Sequence, residues 1–170
     1  MLGMHKNFQG NVIKDTSIGN TTFIDYPENL YIGDHTYIGH HNFIEASHQI
    51  MIGEGCQITD FVSITTHSSH ISIRLYGNQF SQHIDHKGYI RGRIDIGAYT
   101  FVGPHSVIMP GTTIGKGSIV GAFSYVKGQY PDFSVISGNP ATVTGDTRDI
   151  DKKHLEENPE LRALYASWNK

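Results

Sequence analysis

His67 lies in the stretch ITTHSSH (64–70), where a six-residue rhythm that organises most of the chain stops; the rhythm resumes only after residue 93. An imidazole, with an ordinary pKa of about 6.5, can take a proton from a hydroxyl or amine at neutral pH and hand it on. A base of this kind needs its second ring nitrogen held by a carboxylate or a carbonyl. The excursion 68–93 offers one carboxylate, Asp85, and backbone carbonyls compete with it for that role. His70, Arg74 and Tyr76 follow His67 closely and are candidates for contact with an acceptor, or with a neighbouring copy of the chain. His67 itself also has a structural alternative, as a corner histidine without chemistry. The chain has no Gly-x-Ser-x-Gly stretch, which fits a direct transfer that forms no acyl-enzyme.

The elements that must position His67 follow from the rhythm. Aliphatic residues recur every six positions at Ile32, Ile38, Ile44 and Ile50, restart at Ile52, Ile58 and Ile64, and continue through Ile96, Val102, Ile108, Ile114, Val120 and Val126. Glycine usually follows, as in Ile38-Gly39 and Ile96-Gly97, and a small or short polar residue often stands four places on, as at Thr36, Cys56, Thr100 and Ser118. Six matches neither the helical period nor simple strand alternation, so the unit is a short strand plus a corner, and three units make one turn of a triangular solenoid. The two-residue slip between Ile50 and Ile52 reads as a bulge at one corner. His67, three places after Ile64, falls at a corner, where an insertion leaves the stacked core undisturbed. The fold expected is an all-β solenoid over residues 1–148 with an extended loop at 68–93, followed by a capping helical segment at 149–170. In that segment Asn158-Pro159 reads as a helix start, with Leu161, Leu164, Tyr165 and Trp168 on one face.

Bulk properties exclude several classes. With 13 Lys plus Arg against 16 Asp plus Glu, the net charge of −3 gives no broad basic surface for nucleic acid or acidic lipid. No apolar run reaches the roughly 18 residues that a membrane span needs, and MLGMHKNFQG lacks the apolar core of a signal peptide. The expectation is a cytoplasmic protein. The single cysteine, Cys56, excludes an internal disulfide and reads as a small corner residue.

ITTHSSH, the excursion after it, and IDIGAYTFVGPHSVIMPGTTIGKGSIVGAFSYVKGQYPDFSVISGNPATV together resemble the hexapeptide-repeat acetyltransferases, nearest to the maltose, galactoside and polysaccharide sugar O-acetyltransferases. The resemblance runs from about residue 30 to residue 143 and is most specific in PGTTIGKGSIVGA and GNPA. It implies a left-handed parallel β-helix, a homotrimer with acetyl-CoA bound between subunits, no metal, and transfer of an acetyl group to a sugar hydroxyl with His67 as general base. It further implies Asn42 as an acceptor-binding residue, with a stacked structural amide as the alternative. Phe101, Gly121, Ala122 and Lys127 fall where the family contacts acetyl-CoA. The chain departs from the family pattern in carrying Lys127-Gly128-Gln129 for Thr-Lys-Asp, Phe101 for a tryptophan, and Thr142 for an arginine.

Three rival readings stand beside this one. The acceptor group is an amine on an amino sugar rather than a hydroxyl. His35, His40 and His41, taken with His67, superficially resemble the zinc ligands of left-handed β-helix carbonic anhydrases, although the order of the isolated histidine and the close pair is reversed. Lastly, a solenoid of this kind serves as a non-catalytic trimeric scaffold.

Overall fold

The computed structural model describes residues 1–169 as a left-handed parallel β-helix of triangular section. Short strands on the first face stack Ile18, Ile38, Ile58, Val102, Val120 and Ile136 in register. Ile24, Ile44, Ile64, Ile108 and Val126 line up on the second face, and Ile32, Ile52, Ile96, Ile114 and Tyr130 on the third. These inward side chains form one continuous core, nearly all of it closed to solvent. The six-residue rhythm is therefore the rhythm of the core. Many corners carry a small polar residue turned inward, such as Thr36, Thr100, Ser106 and Ser118, whose hydroxyl donates to a backbone carbonyl.

The slip at Ile50–Ile52 is a repeated feature rather than one bulge. Leu30–Ile32, Ile50–Ile52 and Ile94–Ile96 are successive third-face strands with both outer residues buried and the middle one turned out. Coils that contain such a strand are longer, at twenty residues from Ile18 to Ile38 and from Ile38 to Ile58 against eighteen from Val102 to Val120. The added length falls at the corner between the second and third faces, where Pro27–Asn29 form one 3₁₀ turn and Ala46 to Gln49 fill the next coil. The 68–93 excursion leaves from this same corner. It returns through an antiparallel pairing of His67–Ser68 with Ile90–Arg91, and the Gly92 N–H donates to the Thr66 carbonyl at 2.9 Å. The chain thereby re-enters in step, and Ile108 lands on Ile64.

Corner glycines and left-handed backbone are separate devices here. Gly97 follows the inward Ile96 because a Cβ there would lie 2.4 Å from the Lys116 nitrogen of the next coil. The positive φ comes two residues later, carried by glycine at Gly55 and Gly117 and elsewhere by non-glycine residues, among them Tyr99 (57°), His41 (56°), Phe61 (60°), His105 (59°) and Phe123 (59°). Left-handed backbone costs such residues roughly 1–2 kcal/mol each, and ring stacking from coil to coil offsets part of it. His41, Phe61, His105 and Phe123 form an unbroken ladder with centroids 5.0, 4.9 and 4.8 Å apart.

Both ends are capped. At the start, Leu2–Lys6 pair antiparallel with Val12–Ile18. At the other end, Ser134–Gly138 pair with Ala141–Asp146, and two helices follow, Thr147–Glu157 and Arg162–Trp168. The first helix starts at Thr147, well ahead of the Asn158-Pro159 signal, because the Asp146 carboxylate caps it by accepting from the Arg148 N–H at 2.9 Å. Asn158 and Pro159 mark the break between the two helices. Trp168 packs on Tyr99 with centroids 4.6 Å apart, whereas Leu161 and Leu164 are exposed.

Gly97→Ala is expected to lower stability by about 1–3 kcal/mol, the range for forcing extra volume into packed backbone. Gly3→Ala, where an added Cβ meets nothing within 4 Å, is expected to leave the denaturation midpoint nearly unchanged. Paired denaturation curves check both.

Candidate active site

Twenty-residue coils put Glu45 of one coil beside Thr65 of the next, and His67 follows two residues on at the corner. The Glu45 side chain is 4% exposed and that of His67 is 35% exposed. Four contacts converge on the Glu45 carboxylate. Oε1 accepts from the Ser47 N–H at 2.8 Å, and Oε2 accepts from the Thr66 N–H at 3.0 Å, from the Thr66 hydroxyl at 2.9 Å and from His67 Nδ1 at 2.8 Å. The Ser47 hydroxyl also lies 3.3 Å from His67 Nδ1. Burial by itself raises the Glu45 pKa, but hydrogen bonds from Ser47 and Thr66 outweigh it and hold the group below its usual value, so it is ionised at neutral pH.

An ionised carboxylate only accepts hydrogen bonds. Nδ1 of His67 therefore carries the proton, and Nε2 keeps its lone pair. The Tyr89 ring, on the returning limb of the excursion, stacks on the imidazole with centroids 5.5 Å apart and planes within 13°. Ring, tautomer and orientation are thus set by three separate groups, and one edge of the imidazole remains open to solvent.

Asp85 does not hold His67; the carboxylate that meets the imidazole is Glu45. Asp85 is exposed on the excursion, and its backbone carbonyl accepts from the Tyr76 hydroxyl at 3.3 Å. Asn42 sits inside a corner, 2% exposed, with Oδ1 accepting from the Val62 N–H at 2.7 Å. It is a stacked structural amide here, closed to an acceptor. His70 is exposed, three residues from His67, and bonds the Ser68 hydroxyl through Nδ1 at 2.7 Å. Arg74, in a short helix at Ser72–Tyr76, donates to the His70 carbonyl.

Tyr76 is the strut of the excursion. Its hydroxyl accepts from the Lys87 N–H at 2.9 Å, and its ring meets His83 at 4.8 Å and His86 at 5.1 Å. His86 in turn stacks on Phe80 at 3.9 Å. The excursion is a packed aromatic nest, which explains how 26 residues without a solenoid core hold a fixed path.

Residues assigned to acetyl-CoA fall on two parts of the prism. Lys127 is exposed at the corner between second and third faces, the corner of His67, whereas Phe101 points outward on the first face and Gly121 and Ala122 form the corner between first and second faces. The histidines of the zinc reading are likewise dispersed. His35 lies at the third-to-first corner, His40 and His41 at the first-to-second, and His67 at the second-to-third, so no trio lies together within one chain; among its described residues no three His, Cys, Asp or Glu side chains converge.

Sequence reasoning missed Glu45, Ser47, Thr66 and Tyr89. The signal that finds the first three is coil length: counting one twenty-residue coil back from His67 reaches Ser47, two residues after Glu45.

Residues 93–128 match the family described as bacterial transferase hexapeptide (six repeats). Over 134 residues the chain is 31% identical to galactoside O-acetyltransferase of Escherichia coli strain K12, covering 78% of this chain and 61% of that one. The chain thus spans about three fifths of this relative's length. A solved galactoside acetyltransferase in complex with coenzyme A shares 26% identity with a TM-score of 0.54, covering 82% of this chain and 68% of the other. A hexapeptide-repeat acetyltransferase of Vibrio cholerae, solved with acetyl coenzyme A, superimposes with a TM-score of 0.70 at 24% identity over 79% of this chain and 69% of that one, a likeness of fold.

Glu45→Gln retains the shape of the carboxylate but lets an amide donate to Nδ1. Nitrogen-15 NMR of the imidazole is expected to show the Nδ1–H tautomer in the wild type and its loss in the variant. The lowered native pKa means that the stability Glu45 contributes is complete above the unfolded value near 4.5 and is lost as pH falls through the native value. The acid limb of the wild-type stability profile is therefore expected to be steeper than that of Glu45→Gln.

Proposed function

We propose that this chain is a hexapeptide-repeat transferase, an acetyl-CoA-dependent acetyltransferase that acetylates a sugar hydroxyl, with His67 as general base. The observation that carries the reading is the buried Glu45 carboxylate fixing Nδ1 of a half-exposed His67, which leaves Nε2 free to accept a proton. Nε2 takes the acceptor hydroxyl proton as that oxygen attacks the thioester carbonyl. The new C–O bond forms, the C–S bond breaks, and the imidazolium returns its proton to the departing thiolate. Glu45 is the positioning residue, and it stabilises the imidazolium in transit. A positioned base of this kind contributes roughly 10²- to 10⁴-fold. The name of the E. coli relative and the coenzyme A held by the solved galactoside enzyme support the donor and the acceptor class.

A thioester beside both His67 and Gly121-Ala122 has to lie between the second-to-third corner of one chain and the first-to-second corner of another, because these corners are separate in a single prism. That supports a homotrimer with shared sites. The first-to-second corner and the second face beside it carry exposed Phe23, Phe43, Phe61 and Phe123, an apolar strip suited to burial against a neighbour. No helix among the described residues is long and apolar enough to cross a membrane, and use of acetyl-CoA places the reaction in the cytoplasm.

His67→Ala is expected to lose about 10²- to 10⁴-fold in kcat while still binding acetyl-CoA. An ester product, cleaved by mild hydroxylamine, supports the hydroxyl acceptor; a resistant amide would move the reading to an amino sugar. Co-refolding His67→Ala with Ala122→Trp chains, each inactive alone, is expected to restore activity through sites built from one good half of each. Failure to complement would place the whole site in one chain, and full activity of His67→Ala would remove the base from the mechanism.

A further inference from the structure

Charge is distributed unevenly along this chain. Residues 68–93 hold Arg74, Lys87, Arg91 and Arg93 against Asp85 alone, a net +3, whereas the remaining residues have 9 Lys plus Arg against 15 Asp plus Glu, a net −6. A basic excursion set on an acidic body focuses a positive potential at one place, and that place is the wall beside His67. Arg93 is engaged by Asp95 through Nε at 2.8 Å. Arg74, Lys87 and Arg91 meet no carboxylate among the described residues.

Arg91 is the member of this group tied most directly to the base. It is the register partner of His67 in the antiparallel pair that closes the excursion, and its guanidinium lies 4.7 Å from the centroid of Tyr89, the ring that stacks on His67. Packing on an aromatic face fixes the fork while leaving its N–H donors unspent. Glu45, the carboxylate bonded to His67, is buried and occupied by Ser47, Thr66 and His67. No carboxylate among the described residues forms an ion pair with Arg91.

We infer that the acceptor is an anionic sugar, bearing a phosphate or a carboxylate that Arg91 binds while the reacting hydroxyl lies at His67. This rests on the transferase reading above and narrows its acceptor. A bidentate guanidinium contact to phosphate or carboxylate supplies both energy and orientation, and a neutral sugar would leave the charge unanswered.

The test is acetyl transfer from acetyl-CoA to hexoses, each presented as the free sugar, the 1-phosphate, the nucleoside diphosphate form and the uronic acid. The anionic forms are expected to exceed the free sugar by at least about tenfold in kcat/KM, with the gap narrowing as salt rises. Arg91→Gln is expected to raise KM for the anionic form by roughly 10- to 100-fold, the scale of one charge-assisted contact, while kcat and the rate with neutral sugar hold. Arg93→Gln is expected to change neither. Preference for the phosphate forms identifies a phosphorylated precursor, and preference for uronic acids identifies a carboxylated glycan. Equal use of neutral and anionic forms, or an Arg91→Gln variant that slows both alike, overturns the inference. Calorimetry with the same sugar phosphates in the absence of donor reads the anion site separately. Binding that is lost in Arg91→Gln without any transfer sustains the site and rejects the transferase, while transfer without charge preference does the reverse.

Discussion

Residues one coil apart sit one strand spacing apart, roughly 4.8 Å, and everything else in this molecule depends on that constraint. It arises from aliphatic side chains stacking in register inside the prism, and it holds only because residues such as Gly97 present no Cβ to the coil above. Once the vertical spacing is set, equivalent residues at the same corner of successive coils become neighbours regardless of the chain between them. Glu45 and His67 are brought to 2.8 Å by this means, and the excursion adds the pairing of His67 with Arg91 and the Tyr89 ring against the imidazole. His67 is therefore mounted on the stacked part of the fold, and the packed excursion supplies its surroundings.

A buried carboxylate is costly unless its charge is answered. Glu45 is tolerated because Ser47 and Thr66 donate three hydrogen bonds from fixed backbone and a packed hydroxyl, and His67 supplies the fourth. The donors exist before any substrate arrives, so the imidazole is oriented in advance at no further cost in ordering. Tyr89 adds a wall on one ring face and links His67 to Arg91. Structural and chemical roles are thus layered from inside to outside: aliphatic stack, satisfied carboxylate, imidazole, aromatic wall, cation.

The rhythm of Ile and Val was legible because core burial repeats at a fixed interval; Ile32, Ile38, Ile58, Ile64, Val102 and Ile108 are all buried as their spacing requires. The corner placement of His67 was legible for the same reason. Glu45 was hidden because its relation to His67 depends on local coil length, which changes between twenty and eighteen residues. A search for carboxylates near in sequence reached Asp85, which points elsewhere. Asn42 and Tyr76 show the converse difficulty. Polar groups of a type suited to binding are absorbed by the fold, one closing a corner and the other holding the excursion together.

The central claim is that this chain receives acetyl groups from acetyl-CoA, and calorimetric titration of acetyl-CoA into metal-stripped protein tests it most directly. The account predicts saturable binding at close to one site per chain, weakened by replacement of Lys127 or Ala122 and retained in His67→Ala. Absence of saturable binding would contradict it, because neither the base nor its carboxylate has a role without a donor.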